Sequence, residues 1–148
     1  MAPTDASTTA ASSEPSAFEA ALERYNAGAP VAELIDEFSA LAEQNPRQSA
    51  CWTCLAWLQL LNNQPLDGLR SARLAVRLSP QDPQARINLS LAMLETGAKG
   101  VREHIEVVQR VMQMAPEMTS DINDAITDGL QRRPDWQALQ KVKTWLAG

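Results

Sequence analysis

Apolar side chains recur every three or four positions from residue 16 onwards, and no segment alternates with period two for long, so the pattern predicts helices and no strand. Ser16-Ala17-Phe18-Glu19 fits a capping box, and the helix it opens runs through Phe18, Ala21, Leu22 and Tyr25 until Gly28. Pro30 opens a second helix carrying Leu34, Ile35, Phe38, Leu41 and Ala42, which Asn45-Pro46 breaks. The same grammar predicts helices over 49–61 and 66–78, parted by a turn at Asn62-Asn63-Gln64-Pro65 and closed by Ser79-Pro80. Asp82-Pro83 starts a helix bearing Ile87, Leu89, Leu91, Ala92 and Leu94, Gly97 stops it, and another spans 101–114 before Pro116. Helices near 120–130 and 136–146 follow, separated by Arg132-Arg133-Pro134-Asp135. Residues 1–15 hold Ala, Ser and Thr but no large apolar side chain after Met1, which predicts a disordered tail.

The closing prolines Pro46, Pro80 and Pro116 lie 34 and 36 residues apart, with two helices in each interval. Aligned on them, the first helices read Phe18-x-x-Ala21-Leu22-x-x-Tyr25, Trp52-x-x-Leu55-Ala56-x-x-Gln59 and Arg86-x-x-Leu89-Ser90-x-x-Met93. The second helices place Leu34, Phe38 and Leu41, then Gly68, Ala72 and Ala75, then His104, Val108 and Val111 at matching positions. This resembles the tetratricopeptide repeat (TPR) family, whose 34-residue unit carries W-x2-L-G-x2-Y in its first helix. Gln59, Arg86 and His104 depart from the pattern, and the third unit takes two extra residues, placed at Lys99-Gly100. The resemblance implies an all-α fold of antiparallel helix pairs stacked as a right-handed superhelix. Its units fall near 15–46, 49–80 and 83–116, within a domain of 16–148 whose residues 117–148 form a degenerate fourth pair or cap. Trp136, Leu139, Val142, Trp145 and Leu146 make the stripe expected to seal that cap.

At 148 residues the chain is one domain's length. Up to residue 46 it carries eight carboxylates against Arg24 alone, within a net charge of -5. With a pI near 4.8 and no basic block, nucleic acid is an unsuitable partner. No stretch resembles a signal-peptide core or a membrane span, so a cytoplasmic chain with no membrane insertion is expected. Two cysteines are no secreted disulfide framework, which agrees with a reducing compartment.

Cys51-Trp52-Thr53-Cys54 is the motif that suggests a reaction, because a dithiol in the first turns of a helix resembles a redox site. No βαβ pattern surrounds it, and two buried small residues are the plainer reading. Zinc needs four ligands, and His104 is the chain's one histidine, so no metal and no other cofactor are expected. Without a triad, a phosphate loop or paired carboxylates, an enzyme is not expected. Arg70, Arg73 and Arg77 share one face of the second unit's outer helix, either solvated or a contact for an acidic partner.

In the family the first helix of each pair lines a concave groove, so the resemblance places Ala50, Thr53, Trp57, Leu60 and Leu61, then Gln84, Ile87, Leu91, Leu94 and Glu95, on that surface. Members that clamp a C-terminal carboxylate hold Lys, Arg and Asn there. The corresponding places carry Glu19, Glu23, Cys54, Gln84 and Asn88, which disfavours such a clamp. Trp52 is expected in the core and Trp57 exposed in the groove, a patch of the kind that marks interaction sites. These features point to a non-catalytic interaction module, an assembly or scaffolding factor that holds an apolar or amphipathic helical segment of another protein, with an extended segment as the other form of partner. The rivals are a thiol redox protein or redox-switched adaptor using Cys51 and Cys54, self-association through the groove, and a groove filled by the chain's own first or last helix.

Overall fold

A computed structural model describes residues 16–148, and the expected tail over 1–15 lies outside the described residues. Eight helices follow in order: α1 (Ala17–Asn26), α2 (Val31–Gln44), α3 (Ser49–Leu61), α4 (Pro65–Leu78), α5 (Pro83–Thr96), α6 (Val101–Met114), α7 (Met118–Arg132) and α8 (Gln137–Ala147). No strand occurs among the described residues. The boundary residues act as the chemistry of helix ends requires. Ser16 and Glu19 form a reciprocal capping box, Asp82 caps α5 through the Gln84 amide, and Gly97 ends α5 at φ 76°, where a side chain would be strained. The hairpins α1–α2, α3–α4 and α5–α6 pack internally and against each other in chain order, a TPR-like helical repeat.

The closing turn recurs in detail. Asn45, Ser79, Ala115 and Arg133, each before a proline, adopt nearly the same backbone, φ −132 to −140° and ψ 63 to 80°. Three residues on, an amide returns to each carbonyl: Gln48 to Asn45 at 3.0 Å, Asp82 to Ser79 at 3.2 Å, Met118 to Ala115 at 2.9 Å and Trp136 to Arg133 at 3.1 Å. Six residues after three of the prolines a side-chain N–H donates to the proline carbonyl, from Trp52 to Pro46 (3.0 Å), Arg86 to Pro80 (2.8 Å) and Gln140 to Pro134 (3.4 Å). Arg86 therefore keeps the donor of the tryptophan it replaces. The other departures are also polar pairs within a hairpin. Arg86 Nη1 lies 2.7 Å from His104 Nδ1, and Gln59 Oε1 accepts from buried Ser71 at 2.7 Å.

After Pro116 the sixth position is Ile122, which has no such donor, and α7 is correspondingly not the first helix of a fourth unit. That place is taken by α8, which packs on α5 and α6 and buries Trp136, Leu139 and Val142 completely. Trp145, counted in the same stripe, is 40% exposed. α7 leaves the stack and crosses the concave face back to α1, where its last turn meets Tyr25. This overturns the expected exposure of Trp57 and leaves Trp52 less buried than expected. Trp52 is only partly buried at the edge of the first core cluster, whereas Trp57 is 9% exposed and packs on Trp136 with ring centroids 5.3 Å apart.

Candidate functional site: the concave face beneath α7

α7 is seated by one stripe. Ile122, Ile126 and Gly129, at i, i+4 and i+7, are its buried residues, and the two isoleucines join a core cluster with Trp57, Leu60, Ile87, Leu91 and Leu139. Gly129 marks the closest approach. A Cβ there would stand 2.7 Å from both Leu139 Cδ2 and Trp57 Cη2, so only glycine admits the α7 backbone at this depth.

The C-terminal end of α7 is held by polar contacts. The Tyr25 hydroxyl donates to Asp128 Oδ2 and accepts from Trp57 Nε1 at 2.9 Å. Arg132 Nε donates to Asp128 Oδ1 at 2.9 Å, its Nη2 donates to the Tyr25 carbonyl at 3.0 Å, and its guanidinium lies 3.8 Å above the Tyr25 ring. Arg133 reaches the other way. Its Nη2 donates to Glu95 Oε2 at 2.9 Å, its Nη1 donates to the Leu60 carbonyl at 3.0 Å, and it lies 4.9 Å over the Trp136 ring. Two adjacent arginines thus pin one helix end to α1 on one side and to α3 and α5 on the other.

Burial, and the bond donated to Asp128, push the Tyr25 hydroxyl well above its ordinary value. The unfolded chain would release this proton near pH 10, while the folded chain keeps it. Tyr25 therefore favours the folded state below about pH 10 and loses that contribution as pH rises further. Melting in alkali should show it. Because Tyr25 is the chain's one tyrosine, tyrosinate absorbance should appear only with unfolding, and Tyr25→Phe should flatten the decline of the midpoint above about pH 10.

Most of the expected groove residues lie under other helices. Thr53, Trp57, Leu60, Ile87 and Leu91 are buried, and Leu61, Gln84, Leu94 and Glu95 are partly buried. An open apolar strip centred on Trp57 is therefore corrected: α7 and α8 cover it, and Glu95, expected on the rim, is the partner of Arg133. Asn88 is an internal strut that donates to the Thr53 carbonyl at 2.9 Å and accepts from Gln84 at 2.8 Å. Arg70, Arg73 and Arg77 are exposed on α4, with Arg70 paired to Asp67 at 3.3 Å, and none joins the groove.

Cys51 is buried and Cys54 partly so, both free. Burial raises the Cys51 thiol, and burial together with Cys51 and Asp82 pushes Cys54 up to about 12. Desolvation thus outweighs the thiolate preference expected at a helix start, and the thiol redox reading gains no support. In native protein at neutral pH, Cys51 should react with a thiol reagent such as DTNB only at the rate of unfolding, and Cys54, partly buried with a raised pKa, should react far more slowly than a free thiol. Fast labelling of either thiol would contradict this geometry. Burial and Arg86 lower the His104 pKa, as suits a neutral ring beside a guanidinium. Among the described residues no cluster of three His, Cys, Asp or Glu is placed to hold a metal ion, and no helix is long and apolar enough to cross a membrane.

α7 does not fill the concave face completely. A cavity of about 210 Å³ remains between α1, α3 and α7, lined by Leu22, Tyr25, Phe38, Thr53, Cys54, Trp57, Leu58, Gln84, Ala125 and Asp128. A larger hollow of about 620 Å³ between α6 and α8 mixes apolar Val101, Ile105 and Trp145 with charged Arg102 and Glu106. Nothing in the repeat pattern assigns a groove role to Ala125, Asp128, Gly129, Arg132 or Arg133. The available signal was spacing, since Pro116 and Pro134 are 18 residues apart, room for one helix where the other intervals hold two.

No family model matches the chain. Over 115 residues it is 25% identical to a peroxisomal targeting signal receptor of Pichia angusta, a match covering 71% of this chain and 20% of the receptor. The chain therefore corresponds to about a fifth of the receptor's length. The similarity agrees with a TPR-type fold and with a role in protein interaction.

Proposed function

We propose that this chain is a non-catalytic protein–protein interaction module whose concave face holds an apolar or amphipathic helical segment, as an assembly or scaffolding factor does. The observation that carries the reading is α7 itself, an amphipathic helix seated on that face by anchors at i, i+4 and i+7. The similarity to a targeting signal receptor supports it, because that protein's name describes recognition of another chain's segment. Tethered to the stack, α7 holds the groove at a high effective concentration, on the order of millimolar for a short linker.

The reading is tested by supplying α7 in trans. In the double variant Ile122→Asp/Ile126→Asp the resident helix loses its anchors while α1–α6 and α8 remain. A fluorescently labelled peptide of residues 117–133 should bind this variant saturably and bind the unaltered chain far more weakly. If the variant keeps the helicity of its other helices and still takes up no peptide, the concave face is not a helix acceptor.

A further inference from the structure

We infer that the cavity beside α7 is a receptor for one bulky apolar side chain, Phe, Leu or Met, of a partner segment in which that residue is flanked by Lys or Arg. The inference rests on the interaction-module reading but leaves α7 in place. It rests first on what α7 fails to fill. Along the edge facing α1, α7 presents Asp121, Ala125, Asp128 and Arg132 at i, i+4, i+7 and i+11. Asp128 and Arg132 grip Tyr25, but the next turn offers only the methyl of Ala125 opposite Leu22, and the space between stays empty. Its size suits a side chain. A cavity of about 150 Å³ holds a benzene molecule, and drug-sized ligands occupy about 300 Å³ or more, so about 210 Å³ fits a single aromatic or long aliphatic group.

The surroundings of the cavity carry a charge. Tyr25, Asp128 and Trp57 hydrogen-bond to one another along one part of the lining, and Thr53, Cys54 and Gln84, from the first turns of α3 and α5, make another. One turn before the lining residues Leu22 and Ala125 stand Glu19 and Asp121, both exposed, Glu19 also accepting from the Ser16 amide, and the lining itself holds the Asp128 carboxylate. No lysine or arginine lines the cavity. An apolar hole with carboxylates at its rim in a chain of net charge -5 selects an apolar anchor set among cations, and repels the same anchor among carboxylates.

The test uses three acetylated, amidated pentapeptides on the full chain, followed by amide chemical shifts: Lys-Lys-Phe-Lys-Lys, the same with Ala for Phe, and Glu-Glu-Phe-Glu-Glu. The first should shift Leu22, Thr53, Cys54 and Ala125, the second should leave them unmoved, and the third should bind at least several-fold more weakly. Ala125→Leu, which fills the cavity from α7, should abolish the shifts while the melting midpoint holds or rises. Asp121→Asn should weaken binding and its salt dependence without altering the cavity. The inference is overturned if the Phe peptide shifts nothing or shifts another surface, or if the acidic peptide binds as well. It is equally overturned if free indole fills the cavity while the peptide does not, or if the cavity residues shift with protein concentration alone, which would mark a second copy as occupant. A chain whose opened groove takes up the 117–133 peptide yet ignores Lys-Lys-Phe-Lys-Lys would lose this inference and keep the reading it rests on.

Discussion

Trp57→Ala should lower the stability of the whole domain by about 3–5 kcal/mol, the range for truncating a buried aromatic, as read from the midpoint of urea unfolding. The indole touches three parts of the chain at once. It packs on Trp136, lies over the glycine that admits α7, and donates to the Tyr25 hydroxyl that in turn holds Asp128. Its removal would merge with the cavity already present beside it, so the surroundings have little freedom to collapse into the gap. A single domain is stable by about 5–15 kcal/mol, so this loss takes a large share. Trp52→Ala should cost clearly less, because Trp52 is only partly buried and gives up one exposed hydrogen bond to Pro46. A larger loss from Trp52 than from Trp57 would mean that α7 does not cover the groove in solution.

That contrast was not legible in the sequence, for a physical reason. The helices, their caps and the stacked hairpins follow from local signals, period, Pro and Gly punctuation and the spacing of Pro46, Pro80 and Pro116, which need no knowledge of distant contacts. The course of α7 depends on contacts across some hundred residues, such as Tyr25 with Asp128 and Arg132. Ile122 and Ile126 read equally well as a stripe facing a neighbouring helix of a capping pair. Arg132-Arg133 has the composition of a polar linker, and only the fold brings the carbonyls of Tyr25 and Leu60 and the carboxylate of Glu95 within reach of the two guanidinium groups. Trp57 follows the same logic. A position on the concave face of stacked hairpins is exposed only if nothing in the same chain is long enough, and suitably patterned, to cover it.

Gly129→Val should release α7 while leaving the stack beneath it intact. Even the Cβ of alanine would come 2.7 Å from Leu139 Cδ2 and from the Trp57 ring, and both are fixed, Leu139 by complete burial and Trp57 by Trp136 and Tyr25. Overpacking ordinarily costs about 1–3 kcal/mol when side chains can shift, and here the two colliding groups belong to different helices of the rigid stack. The cheaper response is for α7 to lift, since it is joined to the stack by turns at Pro116 and Pro134 and α8 stays docked through Trp136, Leu139 and Val142. The cost is then bounded by what docking of α7 contributes. Amide hydrogen exchange should show α7 losing protection by at least tenfold while α3, α5 and α8 keep most of theirs, and proteolysis should cut first between Pro116 and Pro134. Loss of protection throughout the chain would instead make α7 an integral layer of the fold. Unchanged protection of α7 would show that it does not approach Trp57 as closely as its glycine implies.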